Sequence, residues 1–328
     1  MSNISDIAKL AGVSTGTVSK VLNNDERVKD KNREKVLEAM NQLNYKPNLH
    51  ARNLSKGKTG LISIIIPTIG HEFMARIVNA IDATLEKNDY DSVLFPMLSQ
   101  SRLKRFSDPF HFLYHTDGLI ISSLSLKSLF GKTSIPVEKP VVVLDTYERD
   151  YDCVYVDNYI GGQLAAEHLN TRDRIFMIGG LESDSAFTSN AFSCRKEGFI
   201  KTIHEKYGSQ TGIDEIPITL DWNKSFELGK RLAEENDSFS VFCLSDILAR
   251  GFMEGAAKSG KEAGKDYSLI GFDNLEFAEN LAISTIAQPV EQLGIKGAEI
   301  ILGKIAGKQQ KSINEKVIPE YIERGSNK

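Results

Sequence analysis

Asp6-Ile7-Ala8-Lys9-Leu10-Ala11-Gly12-Val13-Ser14 leads into Thr17-Val18-Ser19-Lys20-Val21-Leu22-Asn23, and this span decides how the chain begins to fold. Ile7, Ala8, Leu10 and Ala11 recur at helical spacing and give a short first helix one apolar face, with Ser5 before Asp6 as its expected N-cap. Gly12 supplies the turn. Ser14 is placed to cap a second helix in which Val18, Val21 and Leu22 point inward, leaving Thr15, Gly16, Thr17, Ser19 and Lys20 outside. Small polar side chains and one cation enter a major groove without collision, so this helix is a candidate reader of bases. Two helices joined through glycine are also a common packing corner, and the motif alone leaves that reading open.

Working outward, Arg33, Val36, Leu37, Met40 and Leu43 recur at three- and four-residue spacing and predict a third helix over 30–43. Val36, Leu37, Met40 and Leu43 are expected to cover the first two helices. Pro47 and Asn48 then punctuate the chain. Asn48 can cap a short stretch, 49–54, too brief to hold as a free helix and expected to order on DNA. The first 60 residues carry eleven Lys and Arg against six Asp and Glu, while the whole chain has a net charge of −4. Phosphate neutralisation depends on charge at the contact face, so this local asymmetry favours nucleic acid despite the acidic total. Charge alone would describe any solvated basic surface; here it coincides with the helical motif.

The Ala11-Gly12-Val13-Ser14…Thr17-Val18-Ser19 signature and the Tyr45-x-Pro47-Asn48…Ala51-Arg52-x-Leu54 segment occur in the order and spacing of the lactose/galactose repressor family of bacterial transcription regulators, which the chain resembles. The resemblance implies a helix-turn-helix headpiece that meets DNA through Ser14, Thr15, Gly16, Thr17, Ser19, Lys20 and Asn23. Asn48, Arg52 and Leu54 of a hinge helix join this set. It also implies that two hinge helices pair across a dimer in the minor groove, with Leu54 wedging between base pairs. Packing of Leu54 at a domain junction is the other reading. The family usually has Ser or Thr before the third helix, where this chain has Lys29, so either Asp30 caps it or that end is weaker.

Beyond Gly60 the chain changes character. Leu61-Ile62-Ser63-Ile64-Ile65-Ile66-Pro67 is a near-continuous apolar run of strand length, as expected for a strand buried on both faces of a parallel sheet. Similar runs recur at 92–95, 118–121, 141–144, 154–156, 174–178, 241–244 and 268–271. Helix-length segments at 72–88, 159–169, 191–206, 225–236 and 247–259 lie between them. The fold class is therefore α/β, and about 270 residues of such alternation imply two open lobes. The resemblance says the same: an N-terminal three-helix headpiece plus hinge helix, then a two-lobed, periplasmic-binding-protein-like core of parallel sheets. The expected division is 1–46 headpiece, 47–59 hinge and linker, and 60–328 effector-binding and dimerisation domain. Lobe 1 takes about 60–158 and 289–313, lobe 2 about 159–288 and 314–328. Thr285-Ile286-Ala287-Gln288-Pro289 resembles the family's crossover into the first lobe, followed by a helix bearing Leu293, Ala298, Ile301 and Leu302.

Ligands of open α/β sheets sit beyond the carboxyl ends of the strands, so loop residues there are the site candidates. These are Thr68 to Phe73 after the first run, Asp145 after the fourth, Asp246 and Asp273; the resemblance implies an effector contact at Phe73 and adds Arg195, in the family's Arg-x-x-Gly-aromatic element, and Trp222, where the family often has an aromatic. One Arg with Asp residues at loop ends suits vicinal hydroxyls through paired hydrogen bonds, and Trp222 can stack on a sugar face. Each has a structural alternative. Asp246 can cap the helix starting at Ile247, and Asp273 can complete a turn. Arg195 can pair with Glu197 or Glu205, and Trp222 can fill a core. Departures from the family at Thr146, His71-Glu72 and Ser189 make a strongly anionic effector less expected than a neutral mono- or disaccharide.

Enzyme signatures fail on inspection. Gly57-Lys58-Thr59 imitates the end of a phosphate loop, but Arg52 stands where the earlier glycine is required. His111 and His115 have zinc-like spacing without the intervening Glu or a third ligand, so no metal is expected, and no cofactor. Cys153, Cys194 and Cys243 are isolated and read as reduced thiols of a cytoplasmic protein; no signal segment or apolar run of ~20 residues points to export or a membrane. The expected function is a homodimeric, possibly tetrameric, DNA-binding transcription regulator, most simply a repressor, controlled by a sugar between its lobes. Ile77, Ile81 and Leu85 are either dimer contacts or core. The alternatives are a catabolite-type regulator with a phosphoprotein co-regulator bound near Arg76, and a solute-binding protein.

Overall fold

The computed structural model describes residues 3–22, 25, 27–45, 58–97, 99–105, 108, 110–113, 115–131, 138–181, 190–308 and 311–328, and the chain divides into two units, Met1–Gly60 and Leu61–Lys328. The first unit contains α1 (Ile4–Ala11), α2 (Thr15–Leu22) and α3 (Asp30–Gln42). Asn3, not Ser5, caps α1. Its Oδ1 accepts the Ser5 and Asp6 amides at 2.8 and 3.1 Å, and the Asp6 carboxylate accepts the Asn3 amide at 3.0 Å. That reciprocal box satisfies two otherwise orphaned amides and places Ser5 inside the first turn. Gly12 closes the helix in the left-handed region, at φ 63°.

Ser14 does cap α2, its Oγ accepting the Thr17 amide at 3.1 Å. Ile7, Ala8, Ala11, Val18, Val21, Val28, Val36 and Ala39 form the core of this unit, edged by Val13, Leu22, Met40, Leu43 and Tyr45. Two expected core residues lie outside it: Leu10 is 49% and Leu37 47% exposed. Each sits about 100° round its helix from a buried neighbour, and the small Ala39, one turn on from Val36, takes the inward position instead. The α3 N-terminus has no side-chain cap from Lys29, the weaker of the two expected alternatives.

The second unit is built on two six-stranded sheets. In chain order its elements are β1 (Leu61–Ile66), α4 (Glu72–Glu86), β2 (Asp91–Pro96), α5 (Gln100–Arg105), α6 (Phe110–Leu113), β3 (Gly118–Ser122), α7 (Leu126–Phe130), β4 (Val141–Leu144), β5 (Asp152–Val156), α8 (Asn158–His168), β6 (Ile175–Ile178), α9 (Ala191–Tyr207), β7 (Ile213–Ile216), α10 (Trp222–Glu235), β8 (Phe239–Cys243), α11 (Asp246–Lys258), β9 (Tyr267–Asp273), α12 (Glu276–Asn280), β10 (Ser284–Ala287), α13 (Val290–Ile305), β11 (Asn314–Val317) and β12 (Glu320–Ile322). The first sheet runs β11-β5-β4-β3-β1-β2 and is wholly parallel. The second runs β12-β10-β9-β8-β6-β7, parallel except for the β10–β12 edge.

Each sheet is covered on both faces. In lobe 1, Ile77, Ile81 and Leu85 of α4 and Leu293 and Ile301 of α13 pack on one face, and Phe112, Leu126 and Phe130 on the other. Ile77, Ile81 and Leu85 are fully buried, so of their two readings the structure selects core. In lobe 2, Leu228, Leu232 and Phe252 of α10 and α11 oppose Ala165, Phe199 and Ile203 of α8 and α9. The 92–95 run forms an edge strand with Leu94 40% exposed, rather than one buried on both faces. The chain passes between the sheets after β5, at Gln288-Pro289 and between β11 and β12. Residues 314–317 pair with β5 in the first sheet, whereas the expected division assigned them to lobe 2. Asn314-Glu315-Lys316-Val317 is a polar edge strand with no apolar run to reveal it.

Candidate functional site

The carboxyl ends of both parallel sheets converge on a cavity of about 230 Å³. From the first lobe come Pro67 and Thr68 after β1, His71 to Met74 at the start of α4, Ser123 after β3 and Asp145 after β4. The second lobe supplies Ala191, Phe192 and Arg195 of α9, Leu220, Ser245, Ile247, Asp273 and Leu275, and Gln288 follows β10 at the crossover. Four residues here adopt left-handed backbone without being glycine: Ser123 (φ 56°), Asp145 (φ 60°), Asp273 (φ 114°) and Asn274 (φ 55°). Such strain persists only where the surroundings impose it, and four of the seven non-glycine residues with positive φ among the described residues gather at this rim.

Arg195 is the centre of the second-lobe wall and is only 5% exposed. Its Nε donates to Asn158 Oδ1 at 2.7 Å and its Nη1 to the Leu244 carbonyl at 2.7 Å, with Asp273 Oδ1 a longer 3.5 Å away. The guanidinium carbon lies 3.6 Å from the Phe272 ring centroid. Asp273 is held by Ser245 Oγ at 2.8 Å and Gln288 Nε2 at 2.6 Å. Burial dominates both partners' titration. It pulls the Arg195 guanidinium below its ordinary value against the attraction of Asp273 and Asp145, and raises the Asp273 carboxyl against Arg195 and its two hydrogen bonds. Arg195 pairs with neither Glu197 nor Glu205, whose surroundings lie along the outer part of α9.

Asp145 faces this wall from the other lobe. Ser123 Oγ donates to its Oδ2 at 2.8 Å, while Oδ1 is buried and no group among the described residues bonds it. Burial pushes the carboxyl up to about 6, opposed by the Ser123 bond and Arg195. Two interlobe contacts flank the cavity: Glu72 Oε1 accepts the Glu276 amide at 2.8 Å, and Arg76 Nη1 donates to the Asn274 carbonyl at 3.0 Å. Arg76 is also paired with Glu291 at 2.7 and 3.1 Å, so its charge is spent within the fold.

Of the expected effector residues, Thr68, Phe73, Asp145, Arg195 and Asp273 line the cavity, and Trp222 and Asp246 do not. Trp222 opens α10 and packs against Phe226, ring centroids 5.1 Å apart; Leu220 reaches the cavity in its place. Asp246 is fully buried beneath the site. Its Oδ1 accepts Thr285 Oγ1 at 2.7 Å and its Oδ2 the Leu275 amide at 2.9 Å, tying α11 to β10 and to the loop after Asp273. Nor does Asp246 cap α11: Ser245 Oγ accepts the Ile247 amide and does so. A side chain at Gly271 would meet Asp246 Oδ1 at 2.1 Å, so the buried carboxylate requires that glycine.

Burial and the nearby Asp273 charge push the Asp246 carboxyl up to about 8, against Thr285, the Leu275 amide and Arg324. Because the folded value exceeds the ordinary carboxyl value, the contribution of Asp246 to stability is full below about pH 4 and is lost as pH rises through 8. Urea unfolding is therefore expected to show stability falling between pH 6 and 8 with a slope of up to ~1.4 kcal/mol per unit from this group. Asp246→Asn should flatten that slope, since the Thr285 hydroxyl can turn to accept from the amide. An unchanged slope would contradict the assignment.

The sequence reading passed over Ser123, Asn158, Phe192, Ser245 and Gln288. Ser123 and Ser245 follow strands and fit the same rule that picked out Asp145. Gln288 follows β10, whose Ser284-Thr285 start hides a strand, and Asn158 opens α8 directly after Asp157.

On the first unit, Ser14, Thr15, Gly16, Ser19 and Lys20 are exposed and Thr17 half-buried, its Oγ1 3.0 Å from Ser14 Oγ. Asn23, Asn48, Arg52 and Leu54, and with them the hinge helix, lie outside the described residues, as does Ser189. Cys153 and Cys243 are buried thiols, that of Cys153 raised by burial to about 11. Among the described residues, no helix is long and apolar enough to cross a membrane.

Residues 3–48 match the model of the bacterial regulatory proteins, lacI family, and residues 172–327 that of the periplasmic binding protein-like domain. The HTH-type transcriptional repressor PurR of Actinobacillus pleuropneumoniae serotype 3 is 31% identical over 326 residues, spanning 93% of this chain and 91% of that protein. The fold is that of the lac repressor dimer bound to operator and the anti-inducer ONPF, which aligns over 99% of both chains with a TM-score of 0.82 at 23% identity. A LacI family transcriptional regulator from Enterococcus faecium with bound ribose aligns over 81% of this chain and 98% of its own, with a TM-score of 0.67 at 25% identity.

Proposed function

We propose that this chain, which belongs to the lacI family of bacterial regulatory proteins, is a transcriptional repressor that binds operator DNA as a homodimer and answers to a small hydroxyl-rich effector, a sugar in chemical class. The observation that carries the reading is the ring of Asp145, Arg195, Asp273 and Gln288 around a cavity enclosed by both lobes. Paired carboxylate and guanidinium groups beside apolar Phe73, Phe192 and Leu220 match the polar rim and apolar faces of a sugar. The PurR relative is a repressor by name, and the Enterococcus faecium neighbour holds ribose. The proposed division is a headpiece over 1–46, a hinge over 47–59 and the two lobes beyond. The cleft binds without catalysing, and the protein acts in the cytoplasm, where its DNA lies. Arg76, the anchor of the co-regulator alternative, is occupied by Glu291 and Asn274, which favours the small ligand.

The exposed Ser14, Thr15, Gly16, Ser19 and Lys20 supply the groove contacts, and Asn23, Asn48, Arg52 and Leu54 the remainder. Leu54→Ala is expected to weaken operator binding by about tenfold or more while leaving the dimer intact, because an apolar wedge is what holds a kinked minor groove open. Unchanged operator affinity by fluorescence anisotropy would refute the wedge. Asp273→Ala tests the cleft: thermal stabilisation by the effector should vanish while DNA is still retained. A full ligand response from that variant would put the site elsewhere.

A further inference from the structure

We propose that the effector carries a cationic amine, read by Asp145 and Ser123, and is an aminated single-ring polyol of the amino-sugar class. The proposal rests on reading the cleft as the effector site and narrows the ligand from there.

Its basis is an imbalance in the cavity wall. Three carboxylates, Glu72, Asp145 and Asp273, line it against one guanidinium, Arg195, and one imidazole, His71, which acts on Asp273. Two of the three are engaged: Glu72 accepts the Glu276 amide and faces Arg76 at 4.0 Å, and Asp273 has Ser245, Gln288 and Arg195. Asp145 has a hydroxyl on one oxygen and, among the described residues, no partner on the other, although its side chain is nine-tenths buried. Gln288 Oε1, also in the wall, is a second buried acceptor that no described group bonds.

The unmet demand is thus for hydrogen-bond donors and for one positive charge. A buried carboxylate left half-bonded is costly, and a ligand ammonium satisfies both its charge and its open oxygen. Anions face the reverse balance, because Arg195 already spends Nε on Asn158 and Nη1 on the Leu244 carbonyl. Size sets the other limit. At about 230 Å³ the cavity falls below the roughly 300–1,000 Å³ usual for drug-sized ligands, which favours one ring over two.

The test is a calorimetric and thermal-shift titration of the full chain with matched triplets: glucosamine, glucose and glucuronate, and the corresponding galactose and mannose sets. In at least one triplet the amino member should bind at least about tenfold tighter than its hydroxyl partner, the worth of one charge-assisted hydrogen bond. The uronate should be weakest. In Asp145→Asn, an isosteric change that removes the carboxylate charge facing the ligand, the preference should collapse while the hydroxyl member still binds. A hydroxyl or uronate member that binds as well as the amine overturns the amine proposal and leaves the sugar reading standing. Binding by no member of any triplet overturns both. An amine preference that survives Asp145→Asn overturns the role of Asp145.

Discussion

Arg195→Met is expected to destabilise the folded chain by about 3–5 kcal/mol and to abolish effector binding. Methionine keeps the apolar stem and drops the guanidinium, so the loss comes chiefly from the missing cation and its hydrogen bonds. The guanidinium is 5% exposed, lies over Phe272 and bonds Asn158 and the Leu244 carbonyl, the latter at the end of the strand that leads into α11. Its removal orphans both acceptors and leaves Asp273 and Asp145 as buried negative charges without a counter-charge. Each carboxyl already sits above its ordinary value because burial outweighs its attraction to Arg195. Equilibrium unfolding in urea reads the stability and a ligand titration the binding. Arg195→Lys should recover the charge but not the forked geometry, and so only part of the stability. A methionine variant as stable as the parent would mean that the cation is not what holds this wall together.

The second large effect concerns how Arg195 is brought to the site. Helices α8 and α9 touch backbone to backbone through two glycines: a Cβ on Gly162 would lie 2.0 Å from the Arg195 carbonyl oxygen, and one on Gly198 would lie 2.1 Å from that of Tyr159. Neither neighbour is a flexible side chain that could step aside. Gly198→Ala must push α9 off α8, one turn from Arg195, and overpacking of that kind is expected to cost about 3 kcal/mol or more. Effector affinity should fall with it, because the guanidinium is displaced from Asn158. The outcome is checked by unfolding and by titration on the same preparation. Full stability with full affinity would show that the helices part without cost.

That glycine pair explains why part of the site was legible in the sequence. The Arg-x-x-Gly-aromatic element pointed to Arg195, and the structure supplies its physical reason: Gly198 is where the helices touch, and Phe199 is buried beside them. Asp145 and Asp273 could be placed at the cavity wall from sequence because each stands at the carboxyl end of an apolar strand, where the crevice of such sheets lies. Asp246 satisfied the same rule and is nonetheless structural. Only the fold shows Thr285, the Leu275 amide and the space left by Gly271 closing around it. Trp222 packs against Phe226 within α10, a helix that begins three residues before the expected 225.

The strands divide in the same manner. Leu61 to Ile66 had to be apolar, being buried on both faces, and announced itself. Ile213-Asp214-Glu215-Ile216, Asn314-Glu315-Lys316-Val317 and Glu320-Tyr321-Ile322 are sheet edges with one face or none against a core, and polar composition conceals them. In β10 the concealment has another cause: Ser284 and Thr285 are fully buried, and their hydroxyls serve Arg324 and Asp246. Missing β10 as a strand meant missing Gln288 as the residue that follows it. On the headpiece, helical periodicity located all three helices but overcounted their inner faces at Leu10 and Leu37, where a small alanine packs in place of a leucine.

The central claim is that occupancy of the cleft and occupancy of DNA are thermodynamically linked. The most direct test is operator affinity by fluorescence anisotropy at fixed salt, using a site selected by the full-length protein from a random-sequence pool, with and without the sugar that raises its melting temperature. A change of about fivefold or more in either direction is the predicted result, the lower end of ordinary allosteric coupling. Identical affinities with the cleft empty and saturated would contradict the account.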